Sequence, residues 1–260
     1  MTIADLKVGS KLVFGQYGVG ESASPIVWLK ANKECEFLSE CVLDIIKFDE
    51  QERNSPTNDH RYSGNGNYTL SNILQFINSY EDDWYEPSHD YDAPPGDYNR
   101  PIDRIGEYLH HAGFLHDFED YEIESLSGRV HLPTLANIFG ANGEPRFTLF
   151  NRKGFRGRPS YDLVLNGHHG FEETSFCEYW LSDGTGTSNY MKSFVGRDGS
   201  KHNTYAYSRS GLRPKCMIKP ELEVEALSNG SYRILPFEAS RRRGPQIATD
   251  EELLNLMGLL

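Results

Sequence analysis

Two rhythms of hydrophobic positions divide this chain. Residues 10–17 and 25–30 are β-branched and aromatic runs separated by a Gly/Ser-rich stretch from Gly18 to Ser24, which is the pattern of a hairpin. A third run from Cys35 to Leu43 continues it, so the opening predicts three antiparallel strands. Between residues 69 and 78 the spacing changes. Leu70, Ile73, Leu74 and Ile77 follow i, i+3, i+4, i+7, predicting an amphipathic helix with Thr69 or Ser71 near its N-cap. Helical spacing returns over 104–118 through Ile105, Tyr108, Leu109 and Ala112. From residue 128 onward the text is short strands and turns. Tyr179-Trp180-Leu181 reads as a strand and Asp198-Gly199 as a turn. Gly211-Leu212-Arg213-Pro214 reads as a turn entering the last apolar strand.

Two segments follow neither rhythm. Residues 79–103 are acidic, aromatic and broken by Pro87, Pro94, Pro95 and Pro101, and long loops of this kind inside a domain are often functional. Tyr80, Trp84, Tyr85, Tyr91 and Tyr98 form an aromatic set suited to stacking on sugar rings or entering a protein pocket, because Tyr and Trp often carry binding energy. Asp82, Asp83, Asp90 and Asp92 could collect a cation, although a solvated loop is the commoner meaning of such a charge run. Residues 236–260 hold a basic spacer, Arg241 to Pro245, and a short capped helix from Asp250 to Met257. Leu253, Leu254, Leu256 and Met257 would be exposed on a helix too short to stand alone, which makes this tail a docking element for its own domain or for another subunit.

With 260 residues the chain can build one large domain or two small ones. The early hairpin cannot bury both faces alone and the late strands need a partner sheet. The pattern therefore predicts one α+β domain over residues 1–235, with two helices and long loops, its core shared by early and late strands. The net charge, 26 basic minus 38 acidic residues or −12, argues against bulk nucleic-acid binding. No apolar run reaches the ~18 residues that membrane insertion needs, and the start, Met1 to Lys7, lacks the basic and apolar regions of a signal peptide. Cys35, Cys41, Cys177 and Cys216 form no C-x-x-C pair and read as reduced core thiols.

The order of several short motifs resembles a domain family of Gram-positive bacteria and their phages, common in tail, fibre and surface proteins. The motifs are Gly9 to Tyr17 (Gly-x-x-Leu-x-Phe-Gly-x-Tyr), Pro25-Ile26-Val27-Trp28, Phe37-Leu38-Ser39, Phe76-Ile77-Asn78, Leu132-Pro133-Thr134, Tyr179-Trp180-Leu181-Ser182 and Gly211-Leu212-Arg213-Pro214. The resemblance covers roughly residues 8–235, with 79–103 as an insertion and 236–260 outside it. It implies a C-type-lectin-like fold. The family's Trp-Leu-Arg reads Trp180-Leu181-Ser182 here, so a role carried by that arginine does not transfer.

The chemistry that such a fold can host narrows the expectation. Calcium-dependent lectins use Glu-Pro-Asn or Gln-Pro-Asp with Trp-Asn-Asp, and Glu86-Pro87-Ser88 is the nearest string here. His110, His111 and His116 lack the i, i+4 spacing that places two metal ligands on one helical face, and His168-His169 are adjacent. Formylglycine-generating and sulfoxide-forming oxidases of this fold class need a close cysteine pair or a His-x-x-x-His-x-Glu string, and neither occurs. Trp28, Trp180 and Arg213 are expected to be structural, Arg213 as a buried fork for carbonyls. The resemblance, together with the lack of catalytic motifs and the Tyr-rich segment, thus implies a non-enzymatic phage virion or bacterial surface protein without cofactor or metal, displaying a lectin-like domain for host attachment, decoration or assembly. Its expected partners are other virion or surface proteins, further copies of itself, and a glycan or host-surface receptor. The alternatives are a formylglycine-generating-enzyme-like metal oxidase and an intracellular phage protein that binds a host factor.

Overall fold

A computed structural model describes residues 1–18, 23–50, 64–82, 84, 112–140, 145–149, 156–160, 164, 175–185, 188 and 190–236. The opening forms as the pattern predicts: β1 (Lys11–Tyr17), β2 (Ser24–Lys30) and β3 (Glu36–Ser39) are antiparallel neighbours. β4 (Asp44–Lys47) leaves this sheet for a second one. The later strands are β5 (Tyr179–Gly184), β6 (Met191–Val195), β7 (Lys201–Tyr205), β8 (Arg209–Leu212), β9 (Lys215–Met217), β10 (Val224–Ala226) and β11 (Tyr232–Ile234). They distribute over both sheets, whose orders are β10-β11-β1-β2-β3-β9 and β4-β8-β5-β6-β7. Early and late strands therefore share each sheet, in a mixed α+β architecture. Two pairings are parallel, β1 with β11 and β5 with β8; the others are antiparallel.

Period-two alternation sorts the side chains into two cores. In β3, Phe37 enters the larger cluster while its neighbour Leu38 enters the smaller one; in β5, Trp180 enters the larger and Tyr179 and Leu181 the smaller. All four residues of β3 are buried, the mark of a strand covered on both faces. Trp28 and Trp180, two of its indoles, anchor the larger cluster. Trp28 stacks on Phe14 at 5.0 Å and donates its Nε1–H to the Phe14 carbonyl at 3.0 Å, while Trp180 donates to the Ile46 carbonyl at 2.9 Å, so each ring buries its area with its polar atom satisfied.

The helices are shorter than the sequence suggested. The helix expected near 69–78 is a 3₁₀ turn over Tyr68–Leu70 followed by α1 (Asn72–Phe76), because Ser71 lies in extended backbone between them. Residues 112–118, the described part of the segment with helical spacing at 104–118, are loop and turns. Two further short helices form: α2 (Asp120–Ser125), in a stretch for which the pattern predicts no element, and α3 (Leu135–Ile138), where strands and turns were expected. The α3 helix begins in a capping box, in which Thr134 accepts from the Asn137 N–H at 3.0 Å and Asn137 accepts from the Thr134 N–H at 2.8 Å. One turn of helix is too brief to show a 3.6 period. At α2 the Glu122 carboxylate accepts from the Glu119 N–H at 3.0 Å and from the Gly15 N–H of β1 at 2.8 Å, which ties the helix to the sheet. Gly15 sits at φ +66° with the Phe118 ring against it; a methyl group there would meet the ring at 2.3 Å.

Residues 79–82 and 112–117 are joined as a neck. The Gly113 N–H donates to the Glu81 carbonyl at 2.8 Å and the Leu115 N–H to the Ser79 carbonyl at 2.9 Å. His116 bridges Asp117 at 2.8 Å and Asp82 at 2.9 Å, and these hydrogen bonds, the one accepted by Asp117 foremost, raise its pKa above the ordinary histidine value. Trp84 is fully buried in the larger core and edge-on to Phe76 at 6.3 Å. The expectation that Trp84 offers its ring to a ligand is thereby corrected: the indole is spent on the core. Truncation of Trp84 to Ala is expected to cost about 3–5 kcal/mol in urea unfolding, against less than ~0.5 kcal/mol for Tyr80→Ala. Equal effects would mean that the Trp84 ring is not part of the core. Among the described residues no helix is long and apolar enough to cross a membrane.

Candidate functional site

The clearest exposed feature is an aromatic staircase at the edge of the second sheet. β7 is the last strand in its order, paired on one side with β6, and Lys201, His202, Asn203 and Tyr205 are exposed. Tyr205 is 44% exposed and Tyr190 is 36% exposed, whereas most large apolar groups among the described residues are hidden. Their rings stack at 5.9 Å and 19°, and Tyr205 stacks on Tyr207 at 5.4 Å and 17°. Rings in van der Waals contact at such centroid distances are offset sideways by about 4–5 Å, so each leaves part of a face uncovered. The stack is built locally: Tyr205 pairs with Met191 across the hairpin, which brings Tyr190 beside it, and the turn after β7 returns Tyr207.

At the other end of the hairpin, the turn from Gly196 to Ser200 gathers polar groups. Asp198 accepts from the Ser200 hydroxyl at 2.7 Å and from the Ser200 N–H at 3.0 Å, and these bonds hold its carboxyl down at about 2. His202 Nε2 lies 2.8 Å from the Ser200 hydroxyl and 3.3 Å from Asp198. Ser, His and Asp meet here, but one imidazole nitrogen faces both partners. A nucleophilic triad needs the carboxylate on the opposite nitrogen, so that the ring can take the hydroxyl proton while the carboxylate holds the other side. This cluster fixes a turn.

A cleft of about 200 Å³ opens beside β1 and β2, with Tyr17, Ile26, Leu43, Glu40, Cys41 and Ser160 on its walls. Its phenol and its carboxylate already have partners. Tyr17 donates to Asp44 at 2.6 Å and Glu40 pairs with Lys11 at 2.7 Å, while burial raises the Cys41 thiol above its ordinary pKa and keeps it protonated. The other thiols fit no reactive role: Cys35, Cys177 and Cys216 are buried and free, and burial pushes Cys177 up to about 12 and Cys216 well up. No group of three or more ligating side chains among the described residues could hold a metal ion.

Lys192 of β6 is an unusual ionisable group among the described residues. It is fully buried, donates to the Ser182 carbonyl, and places its ammonium 4.3 Å from the Phe48 ring centroid and 5.7 Å from that of Tyr68. Burial lowers its pKa to about 7, against a smaller opposing pull from Asp183.

Of the residues singled out in the sequence, Tyr80 stands exposed on the neck, apart from the staircase in the chain, and Trp84 is in the core. Tyr85, Tyr91 and Tyr98 lie outside the described residues, as do Leu253, Leu254, Leu256 and Met257 of the tail. Trp28 and Trp180 are buried, and Arg213 is 3% exposed, donating to the carbonyls of Ser39 at 3.2 Å and Glu40 at 3.3 Å where the chain crosses from β8 to β9. Its guanidinium also lies 5.0 Å from the Tyr179 ring centroid. The staircase was missed because Tyr190, Tyr205 and Tyr207 are scattered among polar residues; only the hairpin register assembles them. No protein-family model, curated protein or solved structure matches the chain.

Proposed function

We propose that this chain is a non-enzymatic virion or surface component whose domain, C-type-lectin-like in fold, serves host attachment, decoration or assembly. The observation that supports this reading is the tyrosine staircase, a contact surface of part-exposed rings presented on the rigid edge of a sheet. Tyrosine gives large contact area at low conformational-entropy cost, and preorganisation on paired strands lowers that cost further. Among the described residues, Ser200, His202 and Asp198 lack relay geometry and burial keeps the thiols of Cys177 and Cys216 protonated, so these groups support a structural role rather than a catalytic one.

The test is to ask where the protein resides. Mass spectrometry and immunogold labelling of particles purified from a lysate producing the chain should find it on their surface. Its absence from those particles, with the protein present in the surrounding lysate, would replace this reading with that of an intracellular factor.

A further inference from the structure

We propose that the outer row of the β6–β7 hairpin binds an anionic polysaccharide, with the charged group at the turn and the sugar rings along the tyrosines. This rests on the contact reading above and gives it a ligand class. Strand alternation puts Lys201, Asn203 and Tyr205 on one face of β7, about 7 Å apart, and all three are exposed. The row is aromatic at one end, where Tyr190 and Tyr207 stack on Tyr205. It is cationic at the other. Arg156 lies along the turn, its Cγ 3.4 Å from where a methyl on Gly199 would stand. Arg156 and Arg158 both place their guanidinium carbons over the ring of Phe176, at 4.8 and 5.8 Å.

Two exposed guanidiniums sharing one ring, with Lys201 at the same turn, concentrate positive charge in a chain whose net charge is −12. Like charges held together in this way repel, and an anion relieves that repulsion while accepting paired hydrogen bonds from the guanidinium fork. Asp198 keeps its negative charge on this turn, with its oxygens bonded to Ser200 and His202, and Arg156, Arg158 and Lys201 outweigh it. Next along the row, Asn203 is held in place by the Ser193 hydroxyl at 3.0 Å and offers an amide to ligand hydroxyls. A pyranose has an apolar C–H face and a hydroxyl edge, so it stacks on the uncovered part of a tyrosine while bonding to amide and phenol groups.

The distance from Lys201 to Tyr205 is about 13 Å, room for a few sugar units with one charged group among them. A nucleic acid would bring a charge at every backbone step against the field of an acidic protein. A glycan charged once per repeat meets positive charge only at the turn. Its charge can be a carboxylate or a phosphodiester, because both oxygen pairs fit the same fork.

The experiment measures binding of the full chain by isothermal titration calorimetry to four polymers. These are hyaluronan, which carries its carboxylate on every second sugar, a phosphodiester-linked capsular polysaccharide, neutral dextran and a single-stranded oligodeoxynucleotide. At least one of the two charged polysaccharides should bind, at least tenfold tighter than dextran and the oligonucleotide, and which of the two does so identifies the acid group. Arg156→Ala with Arg158→Ala should weaken binding about tenfold and flatten its salt dependence. Tyr205→Ala should weaken it to a similar degree with the salt dependence unchanged. Thermal unfolding should stay at the wild-type midpoint in both variants, and a replacement with Phe at Tyr205, which keeps the ring, should restore most of the affinity. The proposal is overturned if neither charged polysaccharide binds, if dextran or the oligonucleotide binds as tightly, or if the arginine and tyrosine variants bind like wild type. Failure here with the protein present on particles removes the ligand and leaves the contact reading; glycan binding by a protein absent from particles does the reverse.

Discussion

Lys192→Met is expected to raise stability at pH 7 by about 1–2 kcal/mol and to remove most of its rise between pH 7 and 9. In the folded protein the ammonium is buried against Phe48 and Tyr68 with the Ser182 carbonyl as acceptor, and its pKa falls from 10.5 to about 7. The unfolded chain holds that proton up to its ordinary value. Between the two values the unfolded state binds more protons, so stability must rise with pH there, and below pH 7 the full penalty of burying the charge is present. From pH 7 to 9 the gain is about 2 kcal/mol. The methionine removes the buried charge at similar volume, but it leaves the Ser182 carbonyl without this donor at a cost of ~1–3 kcal/mol, which is why the net gain at neutral pH is modest.

Above pH 9 other groups take over with the opposite sign. Cys177 is pushed up to about 12 and Cys216 is raised well above 9, so their thiols stay protonated in the fold while the unfolded chain ionises, and stability falls as pH climbs. On the acid side, burial first and then Lys215 and Arg129 lower the pKa of His131, which removes stability as pH drops below the ordinary histidine range. Wild-type stability should therefore peak near pH 8–9. Urea unfolding at half-unit pH steps reads all three limbs, and a Lys192→Met protein that kept the wild-type slope from 7 to 9 would show that another group carries it.

Gly211→Ala is expected to cost about 3–4 kcal/mol, far more than a methyl group ordinarily does. Gly211 is the residue through which β8 pairs in parallel with Tyr179 of β5, and its N–H donates to the Glu178 carbonyl at 3.1 Å. A methyl group here would sit 2.3 Å from that carbonyl oxygen and 2.6 Å from Val42 Cγ1, so the strands must part or the smaller core must shift. That pairing joins β4 and β8 to the β5-β6-β7 hairpins. Gly230→Ala serves as the control, because at φ +80° it carries backbone strain of about 1–2 kcal/mol but its methyl would face open space. Equal losses for the two variants would show that the strand approach at Gly211 is loose.

Gly211 also shows where the sequence was legible and where it was not. In the text it belongs to a turn motif with Leu212, Arg213 and Pro214. In the structure Gly211 and Leu212 are strand, and only Arg213 and Pro214 make the crossing between sheets. A glycine that opens a turn and a glycine that admits a neighbouring backbone look alike in one dimension. The opening hairpin could be read because its alternation and its Gly/Ser turn are local. The Asp198-Gly199 turn between β6 and β7 was legible for the same reason. α3 was not, since one turn carries no period and its capping box emerges only when Thr134 and Asn137 are seen to exchange hydrogen bonds. Likewise, nothing in the spacing of Tyr190, Tyr205 and Tyr207 announces a stack, and nothing local marks Trp84 as core while Tyr80, four positions earlier, stays exposed.

The parallel pairing of β1 with β11 has a consequence for how the protein is made. Leu12 is registered against Tyr232, so a strand synthesised near the start waits for one near the end of the described chain. On the other side of the same sheet, β3 waits for β9, with Phe37 opposite Cys216. A ribosome adding about 5–20 residues per second would hold these edges open for roughly ten seconds or more. During that interval β1 to β3 form a sheet fragment with apolar residues on both faces of β3 and no cover, a state that chaperones bind and that pairs readily with a second nascent chain. Soluble yield should consequently depend on the spacing of translating ribosomes more than on the stability of the finished fold.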